Sequence, residues 1–85
     1  MNIPRIETEQ CYVIKSHKTG LYLVGHHLTC RPFWRDSLDD AIRQYSFKTR
    51  KDCEDCILVL EHNYNFIKEF QPFPEPANRL KEVLL

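Results

Sequence analysis

Residues 34–60 contain two helix starts in succession, Ser37-Leu-Asp-Asp40 and Thr49-Arg-Lys-Asp52, separated by Tyr45-Ser-Phe-Lys48. Ser and Thr are good N-cap residues. An acid three positions on completes a capping box and complements the positive end of the helix dipole. After Ser37, Leu38, Ala41, Ile42 and Tyr45 share one face at helical spacing, which predicts a helix of about two turns. After Thr49, Cys53, Cys56, Ile57 and Leu60 recur at i, i+3, i+4 and i+7, the apolar stripe of a second helix. Its outer face sets Arg50 against Glu54 and Lys51 against Asp55, four residues apart, each pair worth about 0.2–0.5 kcal/mol. Asn63 suits a left-handed cap at its end. Tyr45-Ser-Phe-Lys48 reads as a strand fragment.

Upstream, Cys11-Tyr-Val-Ile-Lys15 is β-branched and aromatic and predicts a strand. Ser16-His-Lys-Thr-Gly20 carries turn chemistry, with Gly20 free to take positive φ. Leu21-Tyr-Leu-Val24 returns as the second strand of a hairpin. A third short strand is expected around Leu28 to Arg31, stopped by Pro32. Phe33 and Trp34 then stand where an aromatic staples the first helical turn. Residues 1–9 read as an extended lead-in. Downstream, Tyr64-Asn-Phe-Ile-Lys-Glu-Phe70 reads as a strand, and residues 72–76 as a stiff, polyproline-like spacer. Residues 77–85 read as a short C-terminal helix with Leu80, Val83 and Leu84 on one side. A helix that short must dock on its own domain or on another chain, which makes these three residues a candidate dimer seam. The expected fold is thus a small α+β domain spanning residues 1–85. Its antiparallel sheet comprises the N-terminal hairpin and a later strand, with both central helices packed on one face.

The chain has 85 residues, 42% apolar and 28% charged, with only two glycines, which is ordinary for a globular domain. Twelve basic side chains balance twelve acidic ones. Zero net charge argues against bulk capture of nucleic acid or of an anionic membrane. No stretch approaches the length of a membrane span, and the first residues lack the apolar run of a signal peptide. A cytoplasmic location is therefore expected, with the four cysteines reduced.

Cys53-Glu-Asp-Cys56 has the spacing of a zinc half-site, but zinc knuckles sit in turns rich in Gly or Pro. Here both cysteines lie on the apolar stripe of a helix, where cysteine packs as a small hydrophobe. The preferred reading is core. A zinc-stabilised domain is the alternative, and no cofactor is expected. His26, His27 and His17 read as loop histidines, because neighbours in a strand point to opposite faces. The chain has no nucleophile elbow and no phosphate loop, and Asp39 and Asp40 are accounted for by capping, so no enzymatic role is expected.

One Trp, four Tyr and five Phe are more aromatic surface than so small a core hides. Arg31, Phe33, Trp34 and Arg35, with Lys18, form an aromatic-basic segment of the composition that interface cores favour. Binding to a host protein or nucleoprotein complex is expected through these residues. Single-stranded nucleic acid is the alternative: Lys15, Lys18, Arg31 and Arg35 lie near Tyr22, Phe33 and Trp34, and bases stack on aromatics flanked by cations.

Tyr12-Val-Ile-Lys, Thr19-Gly-Leu-Tyr-Leu, Trp34, Leu38-Asp-Asp-Ala41 and Phe47-Lys-Thr49 together resemble a pattern found in small phage and prophage proteins: a hairpin, a Trp, a short "D-A" helix and an "F-K-T" helix start. The resemblance covers residues 10–62, and its positions serve capping and packing. Some small phage proteins of this size are counter-defence inhibitors of the anti-CRISPR type, without catalytic sites, that bind a host nuclease complex. What the resemblance implies is a phage or mobile-element inhibitor acting by direct binding in the host cytoplasm.

Overall fold

The structure is a computed structural model that describes residues 3–25 and 31–84. It is an α+β fold in which a four-stranded antiparallel sheet is packed by helices. Strand β1 (Pro4–Ser16) turns into β2 (Tyr22–Val24), then come β3 (Phe33–Arg35), α1 (Leu38–Gln44), α2 (Arg50–Asn63), a 3-10 helix (Asn65–Phe70) and β4 (Pro72–Leu84). The sheet order is β3-β2-β1-β4.

The hairpin forms as its residues dictate. Gly20 takes φ 75° and donates to Ser16 O at 2.9 Å, a turn that a side chain would strain. Both helix starts are capped as expected. Ser37 Oγ accepts from Asp40 N at 3.2 Å and Thr49 Oγ1 from Asp52 N at 3.1 Å. The Asp40 carboxylate, however, binds Arg43 at 2.6 Å instead of returning to the Ser37 amide. Tyr12 and Phe47 form an isolated bridge, with N–H···O distances of 2.8 and 2.9 Å, so Tyr45–Lys48 contributes a single rung. The expected third strand around Leu28–Arg31 lies mostly outside the described residues. The third strand observed is Phe33–Arg35, so these residues pair with β2 instead of stapling α1.

Two segments differ from expectation. Asn65–Phe70 is a 3-10 helix, not a strand. Its apolar residues Phe66, Ile67 and Phe70 fit spacings of three and four as well as alternation, and Ile67 is fully buried. More consequentially, Pro72–Leu84 is one continuous 13-residue strand. The expected polyproline spacer at 72–76 and the expected C-terminal helix, as far as Leu84, are strand instead, and residues 4–9 of the expected lead-in belong to β1. The two strands pair along their whole length, from Pro4 against Leu84 to Ser16 against Pro72. A short segment of moderate helix propensity gains little as an isolated helix. As a strand it gains a complete ladder.

Alternation fixes what lies on each face. Ile14 and Leu23 point one way and pack with Cys53, Ile57, Leu60 and Ile67 of α2 and the 3-10 helix. Val13 and Val24, their immediate neighbours, point the other way and pack with Ala41 of α1. The two helices therefore cover opposite faces, not a single one, and the strands are apolar on both sides at their centre.

Backbone parity fixes the edges. Even-numbered residues of β1 turn their amides toward β2, as Ser16 N to Leu21 O at 2.9 Å and Tyr12 N to Phe47 O show. Odd-numbered ones face β4, a pattern that His17 N continues to Gln71 O at 3.1 Å. On β4 the even residues consequently face outward. Pro72, Pro74 and Pro76 are among them, so the outer edge has no N–H at three successive outward positions. Beyond Tyr12 and Ala77 the two strands continue as a ribbon in which residues 3–8 are all exposed. The long axis of the molecule reaches 52 Å.

Candidate binding surface

On the α1 side of the sheet one register row crosses all four strands. Phe73 of β4 stands opposite Lys15 of β1, Lys15 opposite Tyr22 of β2, and Tyr22 opposite Arg35 of β3. Aromatic and cationic side chains alternate along it. Lys15 Nζ lies 5.3 Å from the Tyr22 ring centroid. Arg35 lies 4.9 Å from the ring of Phe33, two residues back on the same face. At the other end His17 stacks on Phe73 at 3.8 Å with 18° between the rings. The row runs beside α1, and Arg35 reaches the Asp40 carboxylate at 3.9 Å. Each cation is held over an aromatic face, worth about 0.5–1 kcal/mol at an exposed site. The surface is thus largely ordered before anything binds it.

The five residues expected as contacts are divided by this geometry. Phe33, 37% exposed, and Arg35 belong to the row. Trp34 points to the opposite face, half-buried against the α2 core, 5.0 Å from the Phe70 ring, and its buried Nε1 has no hydrogen-bond partner among the described residues. It is a packing residue. Arg31 sits over Tyr64 and Phe66 at 5.9 and 5.5 Å, away from Arg35. Lys18 lies exposed in the hairpin turn, its amide bonded to Ser16 Oγ at 3.1 Å. The sequence places Lys15 and Tyr22 only in the nucleic-acid alternative, not among the protein-contact residues, and places neither His17 nor Phe73 at the site. The signal for three of them was the parity of 15, 17 and 22 in the hairpin. Phe73 was out of reach while residues 72–76 read as a spacer.

Of the proposed seam, Leu80 is 76% exposed on the ribbon and Val83 lies on the opposite face by parity, so the two do not form one stripe. Leu84 pairs with Pro4 through its backbone. His26, His27 and Cys30 lie outside the described residues. Among the described residues no three His, Cys, Asp or Glu side chains gather as metal ligands.

Cys53 is fully buried in the α2 core, and burial pushes its thiol up to about 12. Burial also raises Cys11 and Cys56, the latter 3.4 Å from Tyr45 Oη. Burial together with that contact raises the Tyr45 hydroxyl well above its ordinary value. These groups are neutral in the folded chain at pH 7. The unfolded thiol ionises near 9.0. Raising the pH through 9 therefore lets the unfolded chain ionise first, and stability falls progressively from about pH 9 toward 12. We expect the urea midpoint to drop across that range and to stay flat from pH 7 to 8.5. Iodoacetamide at pH 8 should spare Cys53 until the chain is unfolded, as read by mass spectrometry.

Comparison of the chain with protein-family models, curated proteins and solved structures finds no match in any of the three. No helix among the described residues is long and apolar enough to cross a membrane.

Proposed function

We propose that the chain is a non-catalytic protein-binding module whose contact surface is the row Phe73, Lys15, Tyr22, Arg35 with Phe33 and His17. The observation that carries this reading is the alternation of half-exposed aromatics and cations on one rigid sheet face. Aromatic and arginine side chains dominate binding hot spots because they bury large areas at little entropic cost. Here the cations are already positioned over rings, which suits a surface that docks as a preformed unit. The narrower proposal is that the partner is a host nuclease or CRISPR-type complex in the cytoplasm, inhibited by direct binding. It rests on the resemblance of residues 10–62 to small phage proteins.

The test is capture from host lysate with tagged wild-type chain, followed by a Phe33→Ala, Arg35→Glu variant. Loss of both anchors should weaken retention at least about 100-fold while the melting temperature stays within a few degrees. Trp34 is left intact, because its removal would disturb the core. A folded variant that retains the partner as well as wild type would show the surface is misassigned. Addition of the purified partner to a nuclease assay then decides whether binding inhibits.

The same row favours a second reading, single-stranded nucleic acid, whose bases would stack on Tyr22 and Phe73 beside Lys15 and Arg35. Balanced charge and the Arg35–Asp40 contact weigh against it. A salt titration with labelled oligonucleotides separates the two, since absence of binding at low salt eliminates this reading.

A further inference from the structure

We infer that the free edge of β1 at the ribbon tip is the seam of a homodimer, two copies pairing antiparallel about a two-fold axis at Ile6. Among the described residues β1 has β4 on one side only in this stretch, and the outward amides are those of Ile6, Thr8 and Gln10. Among the described residues no proline, bulge or covering segment closes this edge between Pro4, where the N–H is missing, and Tyr12, where Phe47 takes over. Ile6 is 61% exposed, an unusual place to leave an isoleucine beside open backbone groups.

Charge selects the occupant and the register. Odd-numbered residues of this stretch, Arg5, Glu7 and Glu9, share one face, and Arg5 already contacts Glu7 within the chain at 3.3 Å. An axis at Ile6 places Arg5 of each copy opposite the other copy's Glu7, twice, and Ile6 against Ile6. An axis at Glu7 sets Glu7 against itself; it also brings Arg5 opposite the other copy's Glu9, but Arg79 already holds that carboxylate at 3.2 Å. An axis at Thr8 sets Glu7 against the other copy's Glu9, twice. Like charges directly opposite are destabilising, and of these three registers only the one at Ile6 has none. The outer edge of β4 offers no such solution. Its odd residues over the same length are Arg79, Lys81 and Val83; axes at Arg79, Leu80 or Lys81 oppose cation to cation, and an axis at Glu82 sets that acid against itself. In the Ile6 register the two Ile6 residues exchange both backbone bonds, and each Thr8 N–H meets the other copy's Pro4 carbonyl. The two ribbons become one four-stranded sheet, β4-β1-β1-β4, with the globular ends pointing apart and not competing for space. The two Ile6 residues bury each other in its middle.

The experiment is sedimentation of the full chain over a concentration series, with charge reversal as the discriminating variant. Wild type should show a concentration-dependent dimer. Arg5→Glu opposes glutamates at both crossings and should weaken association about ten-fold or more, while far-UV circular dichroism is unchanged because the site is exposed. Arg5→Glu combined with Glu7→Arg restores the opposite pairing and should restore the dimer. Ile6→Cys should give a disulfide-linked dimer under mild oxidation beyond that of the parent chain, since hydrogen-bonded pairs place Cα atoms about 5.5 Å apart. Thr8→Cys should not. A chain that stays monomeric to about 1 mM overturns the inference. So does a dimer that is indifferent to Arg5→Glu, or a double variant that fails to recover.

Discussion

Replacing Ile14 with alanine is expected to lower the unfolding free energy by about 3–4 kcal/mol, toward the upper part of the range for buried isoleucine. Ile14 is fully buried and is touched from the α2 side by the largest core cluster, which comprises Leu23, Cys53, Ile57, Leu60 and Ile67. It also sits on the central strand, with ladders on both sides, so the backbone cannot move inward to close the cavity. A domain of this size has a total stability of about 5–15 kcal/mol, so the loss is a large share. Urea unfolding by circular dichroism measures it. Ile6→Ala is the control, because Ile6 is exposed on the ribbon and in dilute monomer should cost less than about 0.5 kcal/mol. Should both variants lose the same amount, the core is not where these contacts put it.

Ser16→Ala is expected to cost about 2 kcal/mol, an unusual loss for removing one oxygen. Ser16 is 1% exposed and joins three elements. Its Oγ donates to the Phe70 carbonyl at the end of the 3-10 helix and accepts from the amides of Lys18 and Thr19, each at 3.1 Å. Alanine leaves the Phe70 carbonyl without this partner in a site that water reaches poorly. The Lys18 and Thr19 amides belong to exposed residues and recover solvent, which keeps the total below three separate penalties. The neighbouring Gln71, at φ 52° in the left-handed region, is positioned by the same junction through His17 N. Faster amide exchange at Lys18 and Thr19 and a lower urea midpoint are the expected readouts. A midpoint unchanged within error would mean the hydroxyl is dispensable.

Local chemistry was legible wherever the chain decides locally. Ser37 and Thr49 cap as their types require, Gly20 turns the hairpin, and the stripe through Cys53, Ile57 and Leu60 is buried. The cysteines of the C-x-x-C pair are placed in the α2 core by the same periodicity that named them core. What escaped was set by partners distant in sequence. Residues 72–84 have no strong intrinsic preference, and only pairing with β1 makes them a strand. A local sign did exist. Prolines at 72, 74 and 76 occupy every second position, which is the mark of an edge strand with its N–H side turned outward. They also fit a polyproline reading, and alternation alone did not separate the two. The candidate surface was half legible for the same reason. Phe33 and Arg35 were in view, Lys15 and Tyr22 only in the nucleic-acid alternative, whereas Phe73 joins them only through register. Trp34 was misplaced because residues 33–35 were not read as a strand, and in a strand adjacent side chains part company.

The ladder between β1 and β4 has a mechanical meaning. Its rungs join residues from opposite ends of the chain, Pro4 to Leu84 first and Ser16 to Pro72 last. The two strands are antiparallel, so a load pulling residues 4 and 84 apart acts across the rungs and reaches them one at a time. The ribbon would open like a zipper at low force, while the helices and the hairpin behind it feel nothing until the last rung goes. Force applied instead between residues 4 and 72, at opposite ends of the ladder, drags the two strands lengthwise past each other and loads many rungs at once. One fold therefore offers a yielding direction and a resistant one, chosen by where the chain is held.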